Sequence, residues 1–96
     1  LKSEAVRNLI WRRSALRQAA DLLGYIAERS KLAAERLEAG IEESFALIQV
    51  APEAGRPGRV PTPREWIIHP NYILVYRVTP KAITFLRVLH SRQHYP

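Results

Sequence analysis

The chain has 96 residues, 47% of them hydrophobic, with no cysteine, 15 Lys/Arg against 9 Asp/Glu and a formal net charge of +6. That length accommodates one domain with one modest core, and the apolar share excludes a disordered chain. The lack of cysteine excludes disulfides and thiolate metal sites and fits a reducing cytoplasm.

Residues 6–11 are short and apolar and read as a first strand. Ser14 is placed to cap the helix that follows, because its hydroxyl can accept an orphan backbone N–H. Leu16, Ala19, Ala20, Leu23, Ile26 and Ala27 then recur at helical spacing. Ser30 caps a second helix with a stripe of Ala34, Leu37, Ile41, Phe45 and Ile48, and Pro52 ends it. The link between the helices is short, which favours an antiparallel hairpin.

Residues 52–63 carry six of the chain's prolines and glycines and read as a loop, with Arg56, Arg59 and Arg64 on or beside it. Three strands follow, 64–69, 72–78 and 82–90, separated by turns at Pro70-Asn71 and Pro80-Lys81. With Pro80-Lys81 at the turn centre, one face carries Ile73, Val75, Arg77, Thr84, Leu86, Val88 and His90. The other carries Tyr72, Leu74, Tyr76, Val78, Ile83, Phe85, Arg87 and Leu89. Both faces are largely apolar. One is expected to receive the hairpin, and the other to need a partner that covers it. The fold class is therefore α+β: a strand, an antiparallel helix hairpin, then a three-stranded antiparallel meander, with the helices on one sheet face.

Charge divides unevenly along the chain. Residues 1–50 hold eight Lys/Arg and seven Asp/Glu; residues 51–96 hold seven and two. A basic sheet-and-loop half favours an acidic partner. No apolar run approaches the ~20 residues of a membrane span, and the start lacks the pattern of a secretory leader. His69, His90 and His94 have no metal-ligand spacing.

The motifs Gly58-Arg59-Val60, Arg64-Glu65, the run His69-Pro70-Asn71-Tyr72-Ile73-Leu74-Val75-Tyr76-Arg77-Val78, and Leu86-Arg87-Val88-Leu89-His90 with a terminal Tyr95-Pro96 together resemble the RelE/ParE superfamily of bacterial type II toxins. Ala33-Ala34-Glu35-Arg36-Leu37 resembles the start of its second helix. Gln18 stands where that family often has Asp, an expected difference of helix surface only.

The resemblance implies a cytoplasmic toxin that needs no cofactor or metal and is neutralised by a cognate antitoxin. Tyr72, Leu74, Tyr76, Arg77 and Phe85 are the expected antitoxin contacts. It also implies one of two activities. A ParE-like toxin poisons DNA gyrase, and Arg56, Arg59, Arg64, Arg87, His90 and Arg92 are then the expected target contacts. A RelE-like toxin cleaves ribosome-bound mRNA, and Arg59, Arg77, His90, Arg92 and Tyr95 are then the candidate catalytic groups. RelE-like nucleases carry a basic residue after the first tyrosine of the Tyr-x-Leu-Val-Tyr strand, where this chain has Ile73. They tend to carry arginine after the position of His90, where it has Ser91. These departures favour the ParE-like branch.

Overall fold

A computed structural model describes residues 7–57, 63–69 and 71–92. Strand β1 (Asn8–Trp11) leads into helices α1 (Arg13–Ala27) and α2 (Lys31–Val50). A 3-10 turn (Pro52–Ala54) and strand β2 (Arg56–Pro57) follow, then β3 (Arg64–His69), β4 (Tyr72–Val78) and β5 (Ala82–His90). The five strands form one sheet in the order β1-β5-β4-β3-β2. Only the β1–β5 pair is parallel. The expected α+β order holds, with β2 added inside the segment read as loop.

Local chemistry accounts for the helix ends. The Ala33 amide donates to Ser30 Oγ at 3.0 Å, the expected cap of α2. Ser14 does not cap α1. Arg12 holds that position without a side-chain bond, and its carbonyl accepts the amides of Ala15 and Leu16. α2 stops at Val50 because Pro52 disfavours helical geometry in the residue before it. Gly24 lies late in α1, and a Cβ there would meet no atom within 4 Å. Gly24→Ala should therefore raise stability by about 0.5–1 kcal/mol, read as a higher denaturation midpoint.

The α2 stripe is as expected: Ala34, Leu37, Ile41 and Ile48 are buried, with Ser44 beside them. The α1 stripe is rotated. Ala15 is fully buried and Ala19 and Leu22 pack on the core, whereas Leu16 is 52% exposed. The apolar band of α1 is wide enough to dock on either of two edges. Its docking on β5 fixes the choice: the Val88 amide donates to Gln18 Oε1 at 3.0 Å. Gln18 is thus a bridge between α1 and β5, not a surface difference.

Under the helices lie Ile48, Leu74, Tyr76, Ile83, Phe85 and Val88, all within 2% of complete burial. Trp11, Phe45 and Phe85 form an aromatic trio with ring centroids 4.8–5.0 Å apart. The Pro80-Lys81 turn is as read, closed by paired bonds between Thr79 and Ala82. Past it the strict alternation fails. A bulge at Leu86 steps the register from Tyr76↔Phe85 to Val75↔Arg87. Beyond the bulge, Leu74 faces Val88 and Tyr72 faces His90. Val88 and His90 therefore lie on the helix side, and Arg87 and Leu89 on the other, opposite to the sequence assignment.

The second apolar face is not open. Ile73, Val75, Leu86 and Leu89 form their own cluster at 1–5% exposure. Burial within the chain removes the expected need for a covering partner at these side chains. Ile67, in register with Ile73 on that face, is 52% exposed.

Candidate functional site

Two groups of polar side chains stand out, on opposite faces of the sheet. The first is a row at the end of the meander. Register places His69, Tyr72 and His90 side by side across β3, β4 and β5. The His69 and Tyr72 rings are 5.7 Å apart, and Tyr72 and His90 meet edge-on at 5.4 Å. Each histidine accepts, at Nδ1, the backbone N–H two residues ahead: Asn71 to His69 at 3.2 Å, Arg92 to His90 at 3.1 Å. That bond assigns the ring proton to Nε2 in both. His90 also borders a hollow of about 190 Å³ with Gln18 and Asp21 of α1.

The second group is on the far face. Arg56, Glu65, Val75 and Arg87 form one cross-strand row. Arg77 shares this face, two residues along β4 from Val75 and opposite Thr84. Arg77 and Arg87 are half-buried and make no hydrogen bond or ion pair among the described residues. Two guanidinium groups without a partner among the described residues thus flank the Val75 cluster on this face.

Arg56 and Arg64 are engaged in holding the segment before β3. Arg56 pairs with buried Glu65 through Nη2 and Nε, both 2.7 Å from Oε1. Arg64 Nη1 donates to the carbonyls of Glu53 and Gly55 at 3.1 and 2.9 Å. The Tyr76 hydroxyl, at the floor of the same segment, donates to the Pro52 carbonyl at 2.7 Å.

Burial raises the Tyr76 pKa; the Gly55 backbone amide and the Arg64 charge oppose that shift. The folded state therefore keeps its proton to higher pH than the unfolded chain. Its contribution is complete below the unfolded pKa near 10 and falls as pH rises above it. Tyr76→Phe should cost about 1 kcal/mol at neutral pH. The deficit relative to the parent should shrink above about pH 10, as urea midpoints measured across that range would reveal.

Residues 9–95 match the family described as ParE toxin of type II toxin-antitoxin system, parDE. The chain belongs to the ParE toxin family. A curated relative from Sinorhizobium fredii, named "Putative toxin Y4kP", is 31% identical over 91 residues, covering 94% of each chain. The fold of this ParE-family chain is shared with a protein of the chromosomal ParDE toxin–antitoxin system from P. aeruginosa. That match has a TM-score of 0.77 at 24% identity and covers 88% of this chain and 96% of the other. It is shared more distantly with the YoeB dimer protein from Staphylococcus aureus, with a TM-score of 0.63 at 16% identity, covering 95% and 100%.

The expected site residues of this ParE-family chain separate in the fold. Leu74, Tyr76 and Phe85, expected to meet an antitoxin, are 0% exposed beneath the helices. They are core residues with no surface to offer. Tyr72 and Arg77 remain accessible, on opposite faces. Among the expected target contacts, Arg87 lies in the far-face row and His90 with exposed Arg92 at the meander end. Arg56 and Arg64 hold the loop. Arg59, His94 and Tyr95 lie outside the described residues.

Sequence reasoning missed two groups in this ParE-family chain. Gln18 bridges to β5, and Arg36 lines a cleft near His69 and Tyr72. Arg36 is an isolated cation in an alanine- and leucine-rich turn of α2, and only the cleft makes it conspicuous. Among the described residues, no three His, Cys, Asp or Glu side chains are grouped to hold a metal ion. No described helix is long and apolar enough to cross a membrane.

Proposed function

We propose that this toxin acts in the cytoplasm by binding DNA gyrase and trapping a stalled or cleaved DNA complex, and that a cognate antitoxin relieves it. The observation that carries this reading over RNA cleavage is the separation of the nuclease candidates. Arg77 lies on the far sheet face, whereas His90 lies on the helix side, at the other end of the same meander. Acid–base catalysis needs its groups within hydrogen-bond reach of one reacting centre. The position after Tyr72, basic in RelE-like nucleases, is Ile73, 1% exposed and packed with Val75 and Leu86.

In this reading Arg87, Arg92 and His90 contact the target, and Arg77 and Tyr72 contact the antitoxin. The decisive experiment is gyrase supercoiling with purified toxin, with and without antitoxin, scoring lost supercoiling and accumulated cleaved plasmid. Inhibition relieved by antitoxin supports the proposal; full supercoiling at high excess of folded toxin overturns it. Arg87→Glu should weaken inhibition by about tenfold or more while leaving the denaturation midpoint close to that of the parent, because an accessible, unpaired guanidinium is replaced by the opposite charge.

One observation favours a second reading. The His69–Tyr72–His90 row supplies three proton-exchanging groups at one place. If it cleaves RNA, purified toxin will cut ribosome-bound mRNA, and His90→Ala will abolish cutting.

A further inference from the structure

A cleft of about 370 Å³ opens where the α1–α2 turn meets the β3–β4 turn. Its inner wall is apolar: Leu37 is buried and Ile26 and Ile68 are half-buried. Its rim is formed by exposed Leu32, Arg36 and His69. Among the described residues, no carboxylate lines it. Arg36 makes no hydrogen bond or ion pair among the described residues. Helical geometry gives it no internal partner, since its neighbours three and four residues away are Leu32, Ala33, Ala39 and Gly40. Leu32 is 55% exposed and Tyr25 nearby on the hairpin 57%, with the Arg29 guanidinium 3.9 Å over the Tyr25 ring. Lys31 adds a further cation at the turn.

An apolar hollow bordered by one free guanidinium and an exposed leucine fits a peptide better than a nucleic-acid strand. A phosphate backbone is matched by a track of cations, whereas one guanidinium is matched by one carboxylate. We propose that this cleft seats an acidic segment of the antitoxin: an aliphatic or aromatic side chain enters the hollow and a neighbouring carboxylate pairs with Arg36. The proposal rests on the reading that an antitoxin holds this chain, and it adds an anchor distinct from Arg77 on the far face. Charge complementarity supports it, because the chain carries a net +6 and the cleft contributes an uncompensated cation.

The test is the affinity of fluorescently labelled cognate antitoxin for the full chain and three variants. Arg36→Glu reverses the rim charge, and Leu32→Asn removes the rim's apolar side chain. Both positions are exposed, so folding should persist, as far-UV circular dichroism will verify. Arg13→Glu, exposed at the start of α1, makes the same change of net charge away from the cleft. The expected result is at least tenfold weaker binding for Arg36→Glu and for Leu32→Asn, with Arg13→Glu within about twofold of the parent. The parent's affinity should also fall with salt more steeply than that of Arg36→Glu. Near-parental binding by both cleft variants overturns the cleft assignment and leaves the antitoxin reading standing. Failure of the unaltered chain to bind antitoxin overturns both. Displacement of antitoxin by a short RNA from the parent, but not from Arg36→Glu, also overturns it and assigns the cleft to nucleic acid.

Discussion

Phe85→Ala should cost about 3–5 kcal/mol and leave the protein at or below the threshold for folding. Phe85 is fully buried and meets Trp11 at 4.9 Å and Phe45 at 4.8 Å. It is also the residue at which three elements join. Its backbone pairs with Trp11 of β1 and Tyr76 of β4, and its carbonyl accepts the Arg12 amide at the entry to α1. Truncation removes the ring's transfer free energy and opens a cavity between two remaining aromatic rings that cannot collapse into it freely. A chain of this length has roughly 5–14 kcal/mol of total stability, so the loss is a large share of it. Guanidinium denaturation should give a much lower midpoint, and toxicity on expression should fall with the folded population. Phe85→Leu, which keeps most of the volume, should cost about 1–2 kcal/mol. A midpoint for Phe85→Ala close to the parental one would mean that the trio is not central to the core.

Gly55→Ala is the second large effect, by a different route. Gly55 has φ −64° and ψ 147°, angles any residue adopts, so the cost is not conformational. It is steric. A Cβ at this position would overlap the Tyr76 hydroxyl oxygen and lie 2.9 Å from Tyr76 Cζ and 3.0 Å from the Glu65 carbonyl oxygen. Tyr76 is fully buried and cannot withdraw, and the Glu65 backbone is held in the β2–β3 ladder. The segment 52–57 must therefore lift. Lifting breaks the Tyr76–Pro52 hydrogen bond and disturbs the Arg64 contacts to Glu53 and Gly55. About 3 kcal/mol is expected from overpacking and lost bonds together. A double-mutant cycle with Tyr76→Phe makes the claim specific: without the hydroxyl, Gly55→Ala should be at least about 1 kcal/mol less harmful. Additive costs would place the clash elsewhere.

Sequence alone carried the order of the large elements because each rests on local chemistry. The α2 stripe has one apolar face, and Ser30 is a side-chain cap whose bond the structure contains. The readings that failed depended on contacts between distant residues. The α1 band has apolar residues on two adjacent edges, and only the Gln18–Val88 bridge selects the Ala15, Ala19 and Leu22 edge. The Leu86 bulge has no glycine or polar residue to announce it, yet it reverses the faces of Val88, Leu89 and His90. One inserted residue thus decided which expected contacts belong together. The two-residue strand β2 is too short to leave a periodicity. Among the site residues, arginines on apolar strands are conspicuous, and Arg77 and Arg87 have no partners among the described residues. Arg56 and Arg64 were equally conspicuous but have partners that only register and loop closure supply.

The Gln18 side chain has a further consequence for how copies of this protein behave together. β1 pairs with β5 only as far as Phe85, so the second half of β5 faces outward along that margin. An open row of backbone donors is a template on which another molecule's strand can grow. Gln18 occupies the Val88 donor in the middle of that row. At the opposite margin, β2 is two residues long and ends in Pro57, which has no N–H to offer. At each margin, then, part of the backbone that another copy's strand would need is already used within the chain. The apolar hollow and the arginine face lie elsewhere on the surface.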